Sequence, residues 1–183
     1  MYCSISDAWN QENNMANLAK KFNNDFEVNF FPEVEPLIFG GATRVMSLRN
    51  GVNKMSKSDS SDYSRINIMD SKDLIINKIK KAKTDSNVIM GEEVLDEKGN
   101  FSKDIINQRP EACNLLQIYS AISEASVTET LKSFEGKEFR VLKEALTEAL
   151  IKKIFPIGNE VRKMLNEKLY LAEVLEEGSK KAK

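Results

Sequence analysis

Lys54-Met55-Ser56-Lys57-Ser58-Asp59 sets two lysines and two serines close behind Gly51, and the fold assignment turns on this stretch. Lysine supplies a compact point charge and serine hydroxyls supply donors. Gly51, with Asn50 and Asn53, lets the backbone take positive φ and lie close to an anion. The residue types therefore suit a loop that grips phosphate, which implies a nucleotide. By composition alone, a solvated surface turn is the commoner origin of a polar Gly/Asn/Ser run.

Length and composition bound the rest. At 183 residues with 41% hydrophobic content the chain can bury a core, as one good-sized domain or a compact domain with an appendage. Its 27 Lys and Arg against 28 Asp and Glu leave a net charge of −1, so any contact with RNA needs a local basic patch. Cys3 and Cys113 make no disulfide framework, and no apolar run approaches the ~18 residues of a membrane span. A reducing cytoplasm is the default compartment. The chain has no histidine, which removes the usual general base, the commonest metal ligand and any Ser-His triad. Chemistry here has to come from charge stabilisation by Lys and Arg, from backbone donors and from a borrowed Mg²⁺, with no protein metal site.

Upstream of the loop, Ala16, Leu18, Ala19 and Phe22 recur at helical spacing, which predicts a helix from about Asn10 to Asn23, ended by Asn23-Asn24-Asp25. Leu37-Ile38-Phe39 between prolines and Gly40-Gly41 reads as extended, and Val45, Met46 and Leu48 as a further short strand, with plain core as the simple alternative for Val45 and Met46. Downstream, Ser60-Ser61-Asp62 reads as mobile and Arg65–Met69 as a brief strand. Asp70 reads as a helix N-cap. Leu74, Ile75, Ile79 and Ala82 then give an apolar stripe, and Lys78, Lys80, Lys81 and Lys83 load the last turns with cations that solvent and the helix dipole both accept.

Residues 87–108 read as a loop or hairpin turning at Gly99-Asn100. Pro110 opens a helix with Leu115, Ile118, Tyr119 and Ile122 inward and Cys113 as a small buried filler. Ser126-x-x-Glu129 is a capping box for a helix that stops at Gly136. Phe139 to Leu150 is helical, Pro156 should kink or divide that helix, and Leu171, Val174 and Leu175 make a last short helix before Gly178 and a frayed basic tail. From Asp70 onward the chain reads as a bundle of about five or six helices.

Lys-Met-Ser-Lys-Ser is the signature loop of class I aminoacyl-tRNA synthetases, and its flanks resemble the tryptophanyl-tRNA synthetases. The similar strings are Arg44–Leu48, Lys78–Ala82, Thr84-Asp85-Ser86, Arg109–Ala112, Asn114-Leu115-Leu116 and Ile118-Tyr119-Ser120, in that family's order over roughly three quarters of the chain. Tyrosyl-tRNA synthetases share the loop and the general architecture, but the Arg44–Leu48 and Asn114–Ser120 strings argue against them.

The resemblance implies an α/β remnant, mostly α. Residues 1–69 would be the C-terminal part of a Rossmann-like nucleotide-binding domain with the signature loop at 54–58, and residues 70–183 a helical domain that recognises the tRNA anticodon. It implies tryptophan, ATP with Mg²⁺ held through the phosphates, and tRNA(Trp) as substrates and partners, in the cytoplasm. Lys54 and Lys57 would be catalytic, and ATP would meet Val45, Lys54, Met55, Ser56, Lys57 and Ser58, with Val45 against the adenine. Where the family has a Gly-x-Asp-Gln turn this chain has Ala8-Trp9-Asn10-Gln11, so only Gln11 matches, and Asn14 stands in place of a histidine. For Gln11 a solvated helix-start residue is an equal reading. The lysine 78–83 cluster has tRNA backbone contact as its alternative to a solvated face. The family's His-Ile-Gly-His-type motif has no counterpart, nor does most of the tryptophan pocket or the homodimer surface. The expectation is that the chain alone makes no tryptophanyl-adenylate, the competing one being a non-catalytic RNA- or partner-binding remnant.

Overall fold

The computed structural model describes residues 17–32 and 44–182. Ala8 to Gln11, Asn14, Leu37 to Gly41 and Lys183 lie outside them, so the readings placed there are not addressed. Residues 17–25 are helical, two residues past the expected end at Asn23. Asn23 instead holds the turn that follows. Its side-chain oxygen accepts from the amides of Phe30 and Phe31, and its Nδ2 donates to the Phe31 carbonyl at 2.8 Å.

From residue 44 onward the chain begins with an antiparallel hairpin, β1 Met46–Ser47 and β2 Asn50–Lys54. Six α-helices follow among the described residues: α1 Lys72–Lys80, α2 Lys103–Gln108, α3 Pro110–Ser123, α4 Val127–Phe134, α5 Phe139–Asn166 and α6 Lys168–Ala182. This is the mostly helical α/β chain expected.

Local chemistry explains most boundaries. Pro110 sits at the first turn of α3, where its missing N–H costs nothing, and Glu124 closes that helix in the left-handed region at φ 59°. Ser126 and Glu129 form the reciprocal capping box of α4, and Gly136 follows that helix at φ 72°. The N-cap of α1 is Ser71, whose side chain accepts from the Leu74 amide, and not Asp70. Asp70 is buried and committed to another partner, so the shorter hydroxyl takes the cap.

One apolar core joins these parts. Ile75 and Ile79 of α1, Leu115 and Leu116 of α3, Leu131 of α4, and Leu142 and Leu146 of α5 are all but inaccessible, and Leu48 from the hairpin turn enters the same cluster. Burying one such side chain stabilises by roughly 1.5–3 kcal/mol, so the hairpin is held on the helices by apolar contact before any hydrogen bond is counted.

Further expectations are corrected. Arg65–Met69 forms no strand, because its polar groups turn inward to Asp70 and Asp62. Ser61-Asp62 enters a 3₁₀ turn, Asp62–Ser64, in which Asp62 is ion-paired. Residues 103–108 form α2, capped by Ser102, within a stretch read as loop or hairpin. The stretch before it keeps the reading: a turn at Gly99-Asn100 is closed by the Leu95–Phe101 bridge and by backbone bonds from Asp96 to Asn100 and from Ser102 to Val94.

Pro156 does not divide α5, which runs 28 residues through it. An interior proline costs about 3 kcal/mol. The distal half is tied to the chain before α1: Gly158 lies so near the Ile68 carbonyl that any Cβ would fall 2.2 Å from that oxygen, and Arg162 donates to the Met69 carbonyl at 3.1 Å. Gly178 likewise lies inside α6, and Lys180 and Lys181 pair with Glu176 and Glu177 one turn earlier instead of fraying.

Candidate functional site

The hairpin presents the loop, and α3 presents the hairpin. Asn114 on α3 faces β1 and satisfies both backbone groups of Met46: its Oδ1 accepts from the Met46 amide at 2.8 Å and its Nδ2 donates to the Met46 carbonyl at 2.9 Å. A side-chain amide thus takes the place of a third strand. Gly51 rests on the first turn of α3, where a Cβ would lie 2.5 Å from the Glu111 nitrogen and 2.5 Å from the Pro110 carbonyl carbon. Glycine is needed here for close approach and not for a positive φ. Glu111 accepts from the Gly51 amide at 3.4 Å and pairs with Lys83 at 2.8 Å. Burial alone would raise the Glu111 pKa, but Lys83 and the backbone donors together bring it below the ordinary value.

At the hairpin turn, the Leu48 amide donates to the Ser64 carbonyl and the Lys83 amide donates to the Leu48 carbonyl, at 2.9 and 2.7 Å. Arg49 and Lys143 both donate to carbonyls at the C-terminal end of α1, Arg49 to Lys81 and Lys143 to Ala82 at 2.7 Å. The hairpin, α1 and α5 therefore meet at one helix end, where cations offset the helix dipole.

Lys54 is the last residue of β2, directly opposite Met46. The ladder extends one step further, with the Met55 amide donating to the Val45 carbonyl at 3.1 Å, and both side chains pack half-buried against the core. Beyond Met55 the chain leaves regular structure. Ser56 and Ser58 hydroxyls lie 2.8 Å apart, the Ser58 amide donates to Ser56 Oγ, and Lys57 and Ser58 are exposed while Lys54 is half-buried. Of the residues expected at the site, Val45, Lys54 and Met55 belong to the hairpin and its one-step extension, and Ser56, Lys57 and Ser58 follow it directly. Gln11 lies outside the described residues.

Behind the turn stands a network that sequence reasoning missed. Arg65 Nη1 donates to the carbonyls of Ser56, Asp59 and Ser61 at 3.4, 3.0 and 3.5 Å. Its Nη2 pairs with Asp62 at 3.0 Å, and Asp62 pairs with Lys78 at 2.7 Å. Lys78 also meets Asp70 at 2.7 Å, and Asn67 bonds both aspartates through Nδ2. Lys78 is wholly buried, contrary to its reading as one of a solvated run of cations. It sits on the same face as Ile75 and Ile79, a register its position four after Leu74 and three after Ile75 could have signalled. The Lys78 hydrogen bond, followed by that of Asn67, holds the Asp62 carboxyl below the usual aspartate range.

Asp85 and Arg109, from two of the short strings, form a bidentate pair at 2.9 and 2.7 Å that brings the chain after α1 to the start of α3. Cys113 is buried beneath, and burial pushes its thiol up to about 12, so it offers no thiolate nucleophile. Among the described residues no three His, Cys, Asp or Glu side chains cluster as a metal site, and no described helix is long and apolar enough to cross a membrane.

The family model described as tRNA synthetases class I (W and Y) matches residues 6–155. The chain belongs to this family. Relatives of this class I synthetase chain include the tryptophan–tRNA ligase of Mesorhizobium japonicum, 41% identical over 184 residues, covering 90% of this chain and 49% of that protein. The enzyme of the same name from Agrobacterium fabrum is 45% identical, covering 84% of this chain and 41% of its own length. That from Rickettsia prowazekii is 40% identical, with 91% and 47% covered. The solved tryptophanyl-tRNA synthetase of Mycoplasma pneumoniae superposes with a TM-score of 0.61 at 25% identity, over 81% of this chain and 43% of that one. The chain spans about half the length of the curated relatives it matches.

Proposed function

We propose that the chain carries the phosphate-gripping loop of a tryptophan–tRNA ligase: ATP and tryptophan react to tryptophanyl-adenylate, which then acylates tRNA(Trp). Lys54 and Lys57 follow the pyrophosphate as it leaves the α-phosphate. Ser56, Ser58 and the Met55 backbone line its path, Val45 lies against the adenine, and Gln11 is assigned to the same nucleotide site. Mg²⁺ enters with ATP, held through its phosphates, and offsets their charge. Residues 1–69 serve the nucleotide, and residues 70–183 serve tRNA, with Lys80 and Lys81 exposed at the end of α1 as backbone contacts. The complete ligase works in the cytoplasm as a homodimer, through a surface that lies largely outside this chain.

The observation that carries this reading is the hydrogen bond between Met55 and Val45 beside Lys54 at the strand end. It sets a half-buried apolar residue and Lys54 together at the end of the hairpin, with Lys57 three residues further on in the turn that follows. A purine and its phosphates need that combination of an apolar rest and nearby cations.

Tryptophan-dependent ATP–pyrophosphate exchange tests it, measured on the chain by itself and on the chain mixed with a segment carrying a His-Ile-Gly-His-type motif. Exchange appears in the mixture and falls in Lys57→Ala by about 10²–10³, the effect of removing one transition-state donor. Exchange indifferent to Lys57→Ala would sink the assignment. Affinity for tRNA(Trp) drops steeply with added salt if α1 meets the RNA backbone.

A further inference from the structure

Lys78 has two carboxylates where one would serve. A buried ammonium is costly unless paired, and Asp70 alone meets that need: it is 2.7 Å away, its side chain is only 5% exposed, and it lies just before α1. The second partner, Asp62, comes from the return of the signature loop and keeps 46% of its side chain in solvent. A core ion pair has no use for it. Asp62 in turn binds Arg65, and Arg65 spans the carbonyls of Ser56, Asp59 and Ser61. Ser56 lies between the two lysines of the loop. An unbroken line of charge-assisted contacts thus runs from the buried face of α1 to the backbone that separates Lys54 from Lys57.

We propose that Lys78 is a positioning residue for the signature loop. Acting through Asp62 and Arg65, it holds the backbone between Lys54 and Lys57 in one conformation, so that both ammonium groups meet the same polyphosphate. The proposal rests on the phosphate reading of the loop, but the mechanical link can be tested apart from it. The loop's outer turn has internal serine contacts to keep its shape, and those alone are exposed and short-range. Without the line from Lys78, the carbonyls of Ser56 and Asp59 would exchange Arg65 for water, and the spacing of the two cations would fluctuate.

Two variants of the full chain cut the line in different places. Asp62→Ala removes an exposed carboxylate and leaves the buried pair intact. Lys78→Met/Asp70→Asn removes both buried charges together, so no orphan charge remains if the single Lys78 variant fails to fold. In both, hydrogen exchange at amides 56–61 speeds up by about tenfold or more while amides of α3 keep their rates. ATP affinity, measured by calorimetry, falls toward that of Lys57→Ala. The Asp62→Ala arm is diagnostic, because deleting a negative charge near the loop would by simple electrostatics tighten ATP binding, whereas loss of positioning weakens it. Unchanged exchange at 56–61 in both variants overturns the proposal. So does a loosened loop with ATP affinity reduced in Lys57→Ala but not in Asp62→Ala. A loosened loop with ATP affinity indifferent to Lys57→Ala overturns the phosphate reading, and with it the purpose assigned to Lys78, while leaving the link itself standing.

Discussion

The outer turn of the loop, residues 54–58, and its return, residues 59–78, are built from the same kinds of residue and live in opposite environments. Lys57 and Ser58 face solvent, and Ser58 bonds its near neighbour Ser56. Arg65, Asp62, Asp70 and Lys78 form a connected set that ends in a fully buried ammonium. The difference teaches that charge in this molecule is divided by environment: Lys57 at the front is exposed, and the cations at the back are consumed in holding the front. Substitutions should separate the two, with stability sensitive to the dock and the return, and ligand binding sensitive to the turn.

The largest expected effect lies at the dock. Gly51→Val drives a side chain into the backbone of Pro110 and Glu111 and should cost about 3 kcal/mol or more in denaturant unfolding, since neither backbone atom can move without shifting α3. A loss under about 1 kcal/mol would show that the hairpin leaves α3 easily, erasing the contrast between a rigid rear and a free front. Asn114→Ala comes next, at about 2 kcal/mol, because both backbone groups of Met46 lose their partner.

Acid sharpens the comparison without mutation. Asp62, Asp85 and Glu111 all have pKa values below their ordinary ones, so each contributes stability that is complete above the unfolded value and is lost as pH falls through the folded one. For Asp85 burial is the largest influence and would raise the value, but the Arg109 and backbone hydrogen bonds together outweigh it. Unfolding midpoints should hold steady down to the ordinary glutamate value of 4.5 and fall progressively below it. Flat stability through pH 3.8, the ordinary aspartate value, would mean these pairs hold nothing.

The smallest effects belong to the turn and the last helix. Lys57→Ala should leave stability within about 0.5 kcal/mol while lowering ATP binding, and a comparable stability loss would erase the distinction between front and back. Leu169→Ala on α6, where the side chain is 83% exposed and the helix has no buried residue, should also stay within about 0.5 kcal/mol by thermal melting.

Much of the helical part was legible in the sequence because its signals are local. Pro110, the Ser126–Glu129 box and Gly136 each act within one turn of helix, and all three behave as read. Errors cluster where a distant partner overrides a local rule. Asp70 lost the cap to Ser71 because Lys78 claims it, Arg65–Met69 gave up a strand for inward hydrogen bonds, and α5 passes Pro156 because Gly158 and Arg162 tie its far end to residues 68 and 69. The loop itself was readable as a string, but its supports were not.

What the sequence by itself determined is the kinship and the identity of the loop, since a run of five residues and the ordered strings around it need no partner to be recognised. It also determined most helix starts and stops, whose free energy comes from neighbours within four residues. Only the tertiary structure decided which lysines are available and which are spent. A lysine's chemistry depends on whether a carboxylate stands within about 3 Å of it and whether water is excluded, and those conditions are set by residues 8 to 16 positions away at Lys78.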